Sequence, residues 1–294
     1  MPTLISHIRM SAAALLLAVS LPVAADIPTQ FNQAVSAYET GNDEQAFAGF
    51  KSLAEQGNAK AQYNLGVMYE NSRGVAQDYK QAAKWYRKAA EQGNAWSQYN
   101  LGGMYYKGRG VAQDYKQAAM WYRKAAEQGM VKAQYSLGVM YEKGQGVAQD
   151  DKQAAMWLRK AAEQGDAEAQ ATLGLMYHEG LGVAQDDKQA AMWYRKAAEQ
   201  GAAEAQLILG LMYATGEGVA KDYRQAAMWY RKAADQGNAA AQTNLGSLYY
   251  AGAGVSKDYR QAAYWWQKVL AQPDTAENAE AKAKAKIGLG LFKR

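Results

Sequence analysis

The side chains that most often catalyse reactions or bind metals are scarce in this sequence. The 294 residues include no cysteine and two histidines, His7 and His178. A chain without cysteine has no disulfide, no thiolate metal site and no cysteine nucleophile. A Ser-His-Asp triad downstream of residue 25 would have to use His178, and one histidine without cysteine does not make a zinc site. We therefore expect neither a metal nor a cofactor.

Two other motifs have residue types and spacings that suggest ligand binding. Asp150-Asp151 and Asp186-Asp187 are adjacent carboxylates that could contact calcium, and Gly144-Gln145-Gly146 is one of several Gly-x-Gly loops. We favour structural roles for both. The first aspartate of each pair can cap a helix, and negative charge at the second suits the helix dipole. The glycine loops lack the Gly-Lys-Ser/Thr of a phosphate loop, so we expect them to end helices.

These motifs recur because the sequence contains an internal repeat. The units have 36 residues, align without insertion or deletion, and begin at Ala59, Ala95, Val131, Ala167, Ala203 and Ala239. Residues 27–58 form an earlier, weaker unit, and a partial first half follows over 283–292. We therefore divide the chain into residues 1–25, an N-terminal capping repeat at 26–58, six repeats over 59–270, and a C-terminal capping helix and tail at 271–294.

Each unit is predicted to form two helices, as in the unit that begins at Ala95. Leu101 and Met104 have the spacing of a buried helical face, and Gly108 can take the left-handed conformation that ends a helix. Asp114 begins the second helix, where its carboxylate can accept free N–H groups and Gln117 can reach back to it. The same Asp-x-x-Gln pairing occurs at Asp78/Gln81, Asp150/Gln153, Asp186/Gln189, Asp222/Gln225 and Asp258/Gln261.

Stacked antiparallel helix pairs of this kind make an all-α solenoid, in which each pair contacts only its neighbours. A glycine in the middle of a helix costs roughly 1 kcal/mol relative to alanine, so we expect a backbone–backbone contact at each one. We also expect a tryptophan of each second helix to fill the space between its own first helix and the next unit. These residues are Gly66, Gly102, Gly138, Gly174, Gly210 and Gly246, and Trp85, Trp121, Trp157, Trp193, Trp229 and Trp265. The last cap is predicted around Ala276–Lys286, where alternating alanines and charges suit a polar outer face.

Residues 1–25 have the layout of a secretory signal. Arg9 precedes an apolar stretch from Met10 to Leu21, and Val23-Ala24-Ala25 offers the small residues that a signal peptidase recognises. The stretch is shorter than the ~20 residues of a membrane span, although a retained anchor is the alternative. We expect cleavage before Asp26, a periplasmic or secreted location, and no integral membrane segment afterwards. The net charge of +5, one unit of which comes from Arg9, is too dilute to indicate nucleic-acid binding.

The segment AQYNLGVMYENSRGVAQDYKQAAKWYRKAAEQG at 61–93 resembles the Sel1-like repeat, a relative of the tetratricopeptide repeat. The resemblance extends over about residues 30–292 and implies a right-handed solenoid superhelix that serves as an adaptor or scaffold. Ser72 stands where later units have glycine, so we expect the first full unit to end its first helix less tightly. Some cysteine-rich exported relatives are described as β-lactamases, but this chain lacks their paired cysteines and any Ser-x-x-Lys.

The units differ from one another mainly along one stripe of the first helices. First helices of related solenoids line the concave face, so we predict that the stripe binds a partner, with aromatic side chains as anchors. The predicted binding residues are Lys60, Tyr63, Trp96, Tyr99, Tyr106, Lys132, Tyr135 and His178. The alternative for the tyrosines at 63, 99 and 135 is that they pack against the neighbouring first helix.

The sequence therefore predicts a scaffold rather than an enzyme. Its partner would be another protein or peptide, from the bacterial envelope or from a host, and the scaffold itself is expected to be monomeric. One alternative is an envelope protein that binds peptidoglycan or another glycan by stacking sugar rings on the same aromatic side chains. A β-lactamase-like hydrolase is a less favoured alternative.

Overall fold

The computed structural model describes residues 26–291, in which fifteen α-helices and no strand are found. The predicted signal, residues 1–25, lies outside the described residues. The all-α prediction is confirmed. The helices are α1 (Ile27–Glu39), α2 (Asp43–Glu55), α3 (Ala59–Asn71), α4 (Tyr79–Glu91), α5 (Ala95–Lys107), α6 (Tyr115–Glu127), α7 (Val131–Lys143), α8 (Asp151–Glu163), α9 (Ala167–Glu179), α10 (Asp187–Glu199), α11 (Ala203–Thr215), α12 (Tyr223–Asp235), α13 (Ala239–Ala251), α14 (Tyr259–Ala271) and α15 (Ala279–Gly290).

The helices are stacked in chain order, because each one packs against the helix before it and the helix after it. α1 and α2 form the N-terminal pair. Each later pair, from α3 with α4 to α13 with α14, is one unit of the repeat and consists of two 13-residue helices. This is the predicted solenoid, whose contacts run chiefly between neighbouring pairs.

Each first helix of a unit ends on a residue in the left-handed conformation. Gly108 ends α5 with φ 67°, and its N–H donates to the Met104 carbonyl. Ser72 ends α3 in the same way, with φ 57° and an N–H bond to the Met68 carbonyl. The predicted looser ending is therefore wrong.

The residue after Ser72 explains why a serine is tolerated there. Arg73 donates to the Asp43 carboxylate and, at 3.0 Å, to the Tyr38 carbonyl. Its guanidinium carbon also lies 3.8 Å from the centroid of the Tyr38 ring. These bonds to the N-terminal pair hold the loop in place and offset the strain of a left-handed residue with a Cβ, which is roughly 1–2 kcal/mol.

The second helices begin at the predicted aspartate, but half of the predicted cap is absent. The Asp114 carboxylate accepts from the N–H groups of Lys116 at 2.9 Å and Gln117 at 3.1 Å. The N–H of Asp114 itself donates to the Tyr105 carbonyl at 3.0 Å. Because that donor is already used, the Gln117 side chain makes no reciprocal bond, and the aspartate alone caps the helix.

The mid-helix glycines make room chiefly for a large side chain of the second helix. A Cβ on Gly102 would lie 2.8 Å from the ring of Tyr122, which belongs to the second helix of the same unit. The other units repeat the arrangement, with Leu158 facing Gly138 and Trp266 facing Gly246 in place of a tyrosine. The nearest neighbour of each glycine is thus a side chain and not the predicted backbone, although a Cβ on Gly138 or Gly210 would also lie 3.3 Å from a backbone carbonyl.

The close backbone contact occurs instead at the second glycine of each loop. Gly110 has φ 70°, and a Cβ there would overlap the carbonyl of Tyr79, the first residue of α4 in the preceding unit. The contacting pairs are Gly74 with Asp43, Gly110 with Tyr79, Gly146 with Tyr115, Gly182 with Asp151, Gly218 with Asp187 and Gly254 with Tyr223. The loop of each unit thus lies directly on the first turn of the preceding second helix.

The tryptophans of the second helices pack toward the preceding unit. Trp121 belongs to a buried cluster with Ala83 of α4 and Leu101 of α5. The predicted direction, toward the next unit, is wrong because Tyr122 points that way and packs in the cluster that contains Leu137 of α7. Adjacent residues of a helix point about 100° apart, so Trp121 and Tyr122 serve the two opposite neighbours of one unit.

A row of buried glutamines links the units. The Gln98 side-chain amide of α5 donates to the Ala90 carbonyl of α4 at 3.0 Å. Its side-chain oxygen accepts from Gln128, just after α6, at 2.7 Å. The same two bonds are made by Gln62, Gln98, Gln134, Gln170, Gln206 and Gln242, each of which is 4% exposed. Each glutamine therefore joins the end of one unit to both helices of the next.

The C-terminal helix, predicted around Ala276–Lys286, is observed at Ala279–Gly290. Its small residues face inward, and a Cβ on Gly288 would lie 2.7 Å from the ring of Trp266. α15 consequently packs against both α13 and α14. The observed helix extends beyond the predicted cap and leaves 69% of Ile287 exposed.

We expect Gly110→Ala to destabilise the protein more than Gly129→Ala. Both glycines have positive φ, 70° and 88°, so both substitutions introduce the strain of roughly 1–2 kcal/mol of a left-handed alanine. Only the Cβ at 110 meets a backbone, whereas a Cβ at 129 has nothing within 4 Å. The midpoints of thermal unfolding, followed by circular dichroism, check this order. Equal midpoints would contradict the inter-unit contact.

Candidate partner-binding surface

The predicted binding residues share one surface of the solenoid. We use the name first-helix surface for the residues at the second, fifth, ninth and twelfth positions of α3, α5, α7, α9, α11 and α13. Neighbouring first helices contribute to it side by side. Leu211 of α11 and Ala240 of α13 line one groove, and the pKa of Tyr135 in α7 is raised by burial and by the nearby Glu168 of α9. All eight predicted residues lie on this surface.

Trp96 is the most exposed aromatic side chain in residues 26–291, with 53% of its surface accessible. It lies in the first turn of α5, where the Asn94 side chain caps the helix by accepting from the Ser97 N–H at 2.8 Å. Lys60 and Lys132 hold the same position in the flanking units and are also exposed. The indole is therefore presented by a fixed backbone and lies between two cationic positions.

The tyrosines of the fifth position are half-buried. The Tyr63 and Tyr99 rings pack on Tyr86 and Tyr122 of their own second helices, with centroids 6.0 and 5.5 Å apart. Burial raises the pKa of the Tyr63 hydroxyl. The ring partners of these tyrosines lie within the unit, but the buried clusters that they join also contain Leu101 and Leu137 of the next first helices. Tyr135 likewise lies beside Glu168 of α9, so the fifth-position tyrosines contribute to the packing of neighbouring first helices as well as to the surface.

Tyr106 and His178 lie at the ends of first helices and contact the start of the second helix of the same unit. The Tyr106 ring lies 5.2 Å from that of Tyr115. His178 places Nδ1 2.8 Å from the Asp187 carboxylate. Tyr106 also donates to the Gln145 side chain of the next loop at 3.0 Å. The His-Asp pair has no serine on either of its helices, and its place matches that of a stacked tyrosine pair in another unit.

The carboxylates that follow one another in sequence serve separate structural purposes. Asp150 caps α8 by accepting from the N–H groups of Lys152 and Gln153, both at 3.0 Å. Asp151 is the first residue of α8, and its carbonyl contacts Gly182 of the next unit. Residues 26–291 contain no group of three or more acidic or histidine side chains placed to hold a metal ion.

The two halves of the first-helix surface differ in chemistry. On this surface, α3, α5 and α7 contribute two lysines and two glutamates, whereas α9, α11 and α13 contribute Glu168 and Glu204 and neither lysine nor arginine. The second half also exposes aliphatic side chains, with Leu175 38% and Leu211 47% accessible. In this half the sequence-based site named His178 and omitted these leucines, although they occupy the same stripe.

The outward side of the second helices is nearly identical from unit to unit. One position of these helices holds Met120, Met156, Met192 and Met228, which are 38–40% exposed. Lys84 holds the same position in the first unit, and a position that accepts a lysine is expected to be partly exposed. Lys124 lies 4.4 Å from the centroid of Trp121, and Arg123 donates to the Tyr141 hydroxyl of the next unit. Because these cations already have partners and recur in nearly every unit, with Gln267 in place of the arginine in the last one, this side offers little to distinguish one ligand from another.

A family model described as the Sel1 repeat matches residues 59–94, 97–130, 131–166, 167–201, 203–238 and 239–272. The chain belongs to the Sel1 repeat family. The resemblance that the sequence suggested is thereby confirmed. Proteins built from Sel1 repeats generally act as scaffolds for protein interactions.

Two solved structures illustrate the Sel1 fold of this chain. A protective antigen present in uropathogenic Escherichia coli strains, which displays an SLR fold, is 36% identical with a TM-score of 0.80 over 92% of this chain. The alignment covers 62% of that antigen, so this chain spans less than two thirds of its length. A Sel1 repeat protein from Oxalobacter formigenes is also 36% identical, with a TM-score of 0.69 over 84% of this chain and 98% of that one. A comparison with curated proteins gave no match.

The helices of residues 26–291 are too short or too polar to cross a lipid bilayer. The Sel1 units are built from helices of 13 residues, whereas a membrane span needs about 20.

We expect Trp96→Ala to leave the stability of the solenoid unchanged within about 0.5 kcal/mol, as is usual for exposed side chains. Trp121→Ala, at a position that is 6% exposed, is the matched core substitution and should lower the free energy of unfolding by about 3–5 kcal/mol. Thermal unfolding of the two variants measures the difference. A large loss with Trp96→Ala would show that the indole supports the fold.

Proposed function

We propose that this chain is an exported, monomeric scaffold that binds another protein or peptide on the first-helix surface. In this proposal the first-helix surface is the concave side of the solenoid. The observation that supports this most directly is the exposure of the Trp96 side chain. Trp96 is a large exposed side chain on a rigid helix, at a position where no other unit has an aromatic residue. Such side chains bury much area at a small entropic cost and are common anchors of protein interfaces.

The division between constant and variable residues supports the same proposal. The glycines, tryptophans and glutamines that join the units are the same in nearly every repeat. The residues that change, such as Lys60, Trp96 and Lys132, are exposed and lie outside the buried clusters. A repeat framework that keeps its internal contacts and varies one surface is suited to binding a non-repetitive partner along its length.

A glycan ligand is the second candidate, because the same exposed indole could stack against a sugar ring. The half-buried Tyr99 beside it presents part of a second ring. The surface carries charges of both signs, with Lys60 and Lys132 in one half and Glu168 and Glu204 in the other, and this favours a polypeptide with charges of both signs over the uncharged face of a sugar ring. We therefore rank peptidoglycan binding second and propose no hydrolytic activity.

Capture of a partner from bacterial envelope extract tests this proposal. Trp96→Ala should weaken capture about tenfold or more, since interface anchors contribute 2 kcal/mol or more. Met120→Ala is the matched control, because Met120 is 38% exposed but lies on a second helix. Unchanged capture by Trp96→Ala would remove the site, and retention on purified peptidoglycan alone would favour the glycan candidate.

The export proposal depends on residues 1–25 and has its own test. Signal peptidase recognises small residues such as those at Val23-Ala24-Ala25, so the processed protein should begin at Asp26 in the periplasm or the medium. N-terminal sequencing of the protein recovered from cell fractions checks this. An intact residue 1 in a membrane fraction would support a retained anchor instead.

A further inference from the structure

The C-terminal end of the first-helix surface forms a groove of about 370 Å³ between α11, α13 and α15. Its apolar part is formed by Leu207, Ile208 and Leu211 of α11. Its edge includes the carboxylates of Glu204, Glu277 and Glu280. Among the helices of residues 26–291, α13 and α15 are the pair that make substantial contacts without being neighbours in chain order.

The groove exists because α15 approaches α13 closely. The Thr243 hydroxyl donates to the Ala239 carbonyl of its own helix at 2.9 Å and also lies 3.3 Å from the Ala281 carbonyl of α15. Trp266 Nε1 donates to the Thr243 carbonyl at 3.2 Å. Two glycines permit this approach, since a Cβ on Gly246 or on Gly288 would lie within 2.7 Å of the Trp266 ring system. α15 therefore forms a fixed wall and not a loosely attached tail.

The carboxylates at the edge are only partly neutralised. Glu280 pairs with Lys284 at 2.6 Å. Within residues 26–291, no lysine or arginine makes an ion pair with Glu204 or Glu277. Glu204 accepts only a long bond of 3.3 Å from the Asn238 amide. The groove thus combines exposed aliphatic surface with unpaired negative charge.

We propose that this groove binds a basic-aliphatic stretch of the protein partner, with an aliphatic side chain against Leu211 and an adjacent lysine or arginine beside Glu204 and Glu277. The aliphatic contact removes apolar surface from water, and the carboxylates select a cation and orient it. This inference rests on the proposed scaffold function and assigns the chemistry of one end of the partner.

The test uses a fluorescein-labelled Gly/Ser peptide with a central Leu-Arg-Leu-Arg as the probe, and fluorescence anisotropy with the purified protein as the measurement. The probe should bind, and matched peptides with Leu-Glu-Leu-Glu or Ser-Arg-Ser-Arg should bind at least about tenfold more weakly, because each lacks one of the two contacts. Binding of the probe should also weaken as salt is added. Equal binding of either matched peptide would overturn the proposal.

Variants of the protein locate the probe. Leu211→Ser should weaken binding about tenfold, and the double substitution Glu204→Gln with Glu277→Gln about fivefold. The matched controls are Leu175→Ser, a leucine of the same surface outside the groove, and Glu163→Gln on a second helix, both of which should bind as the unchanged protein does. Equal losses in the controls would place the probe elsewhere and overturn the proposal.

The failure of the groove assignment can be distinguished from the failure of the proposed scaffold function. If envelope partners are still captured through Trp96 but the probe does not bind, only the groove assignment fails. If the probe binds and no partner is captured, the scaffold proposal fails. Sedimentation velocity tests whether a second copy of this chain occupies the groove. If the unchanged protein forms dimers and the double substitution Glu204→Gln with Glu277→Gln abolishes them, the occupant is a second copy, and the assignment to a different protein is overturned.

Discussion

The stacking of this solenoid depends on the contact between a loop glycine and the backbone of the preceding unit. At Gly110 the chain lies so close to the Tyr79 carbonyl that a side chain has no space. Because the loop rests on the first turn of a second helix, it fixes the distance between successive pairs. A longer or shorter loop would move the next unit, and this explains why six units follow one another without insertion or deletion. The glutamine of each first helix, such as Gln98, then bonds across the junction that the glycine allows.

Most of the polar and bulky residues of each unit take part in these contacts. The contacts therefore determine at which positions the sequence can differ between units. Gln98 and Trp121 each contact another unit, and Asp114 caps a helix. Substitution of any of them disturbs more than one helix. The second and twelfth positions of the first helices take part in few such contacts, and they hold residues as different as Trp96 and His178. Variation on the first-helix surface is thus a consequence of how tightly the rest of the repeat is specified.

The sequence predicted the elements better than it predicted their contacts. Helix bounds followed from local signals, since Gly108 and Asp114 act on neighbouring N–H and carbonyl groups whatever the rest of the fold does. The direction of Trp121 depends on which unit lies on which side. The side chain that faces Gly102 and the acceptor of the Asp114 N–H depend on how the two helices of one unit pack. Spacing along the chain contains neither kind of information. Gln98 was missed for a related reason, because an amide at a helical position has the same pattern whether it is buried or exposed. At the candidate surface, spacing located the stripe, but only the burial of Tyr99 and the exposure of Leu211 separated support from contact.

A strictly periodic solenoid presents the same chemistry at each step and cannot readily fix the position of an extended partner along its axis. This chain departs from periodicity in an ordered way. Lys60 and Lys132 occupy the second position in the first half, and Glu168 and Glu204 occupy it in the second half. A partner with charges arranged in the opposite order is favoured in one orientation and opposed in the other, because like charges are brought together when it is reversed. The single exposed indole of Trp96 adds a fixed point to this direction, so on the proposed binding surface a framework of nearly identical units would hold one partner in one register.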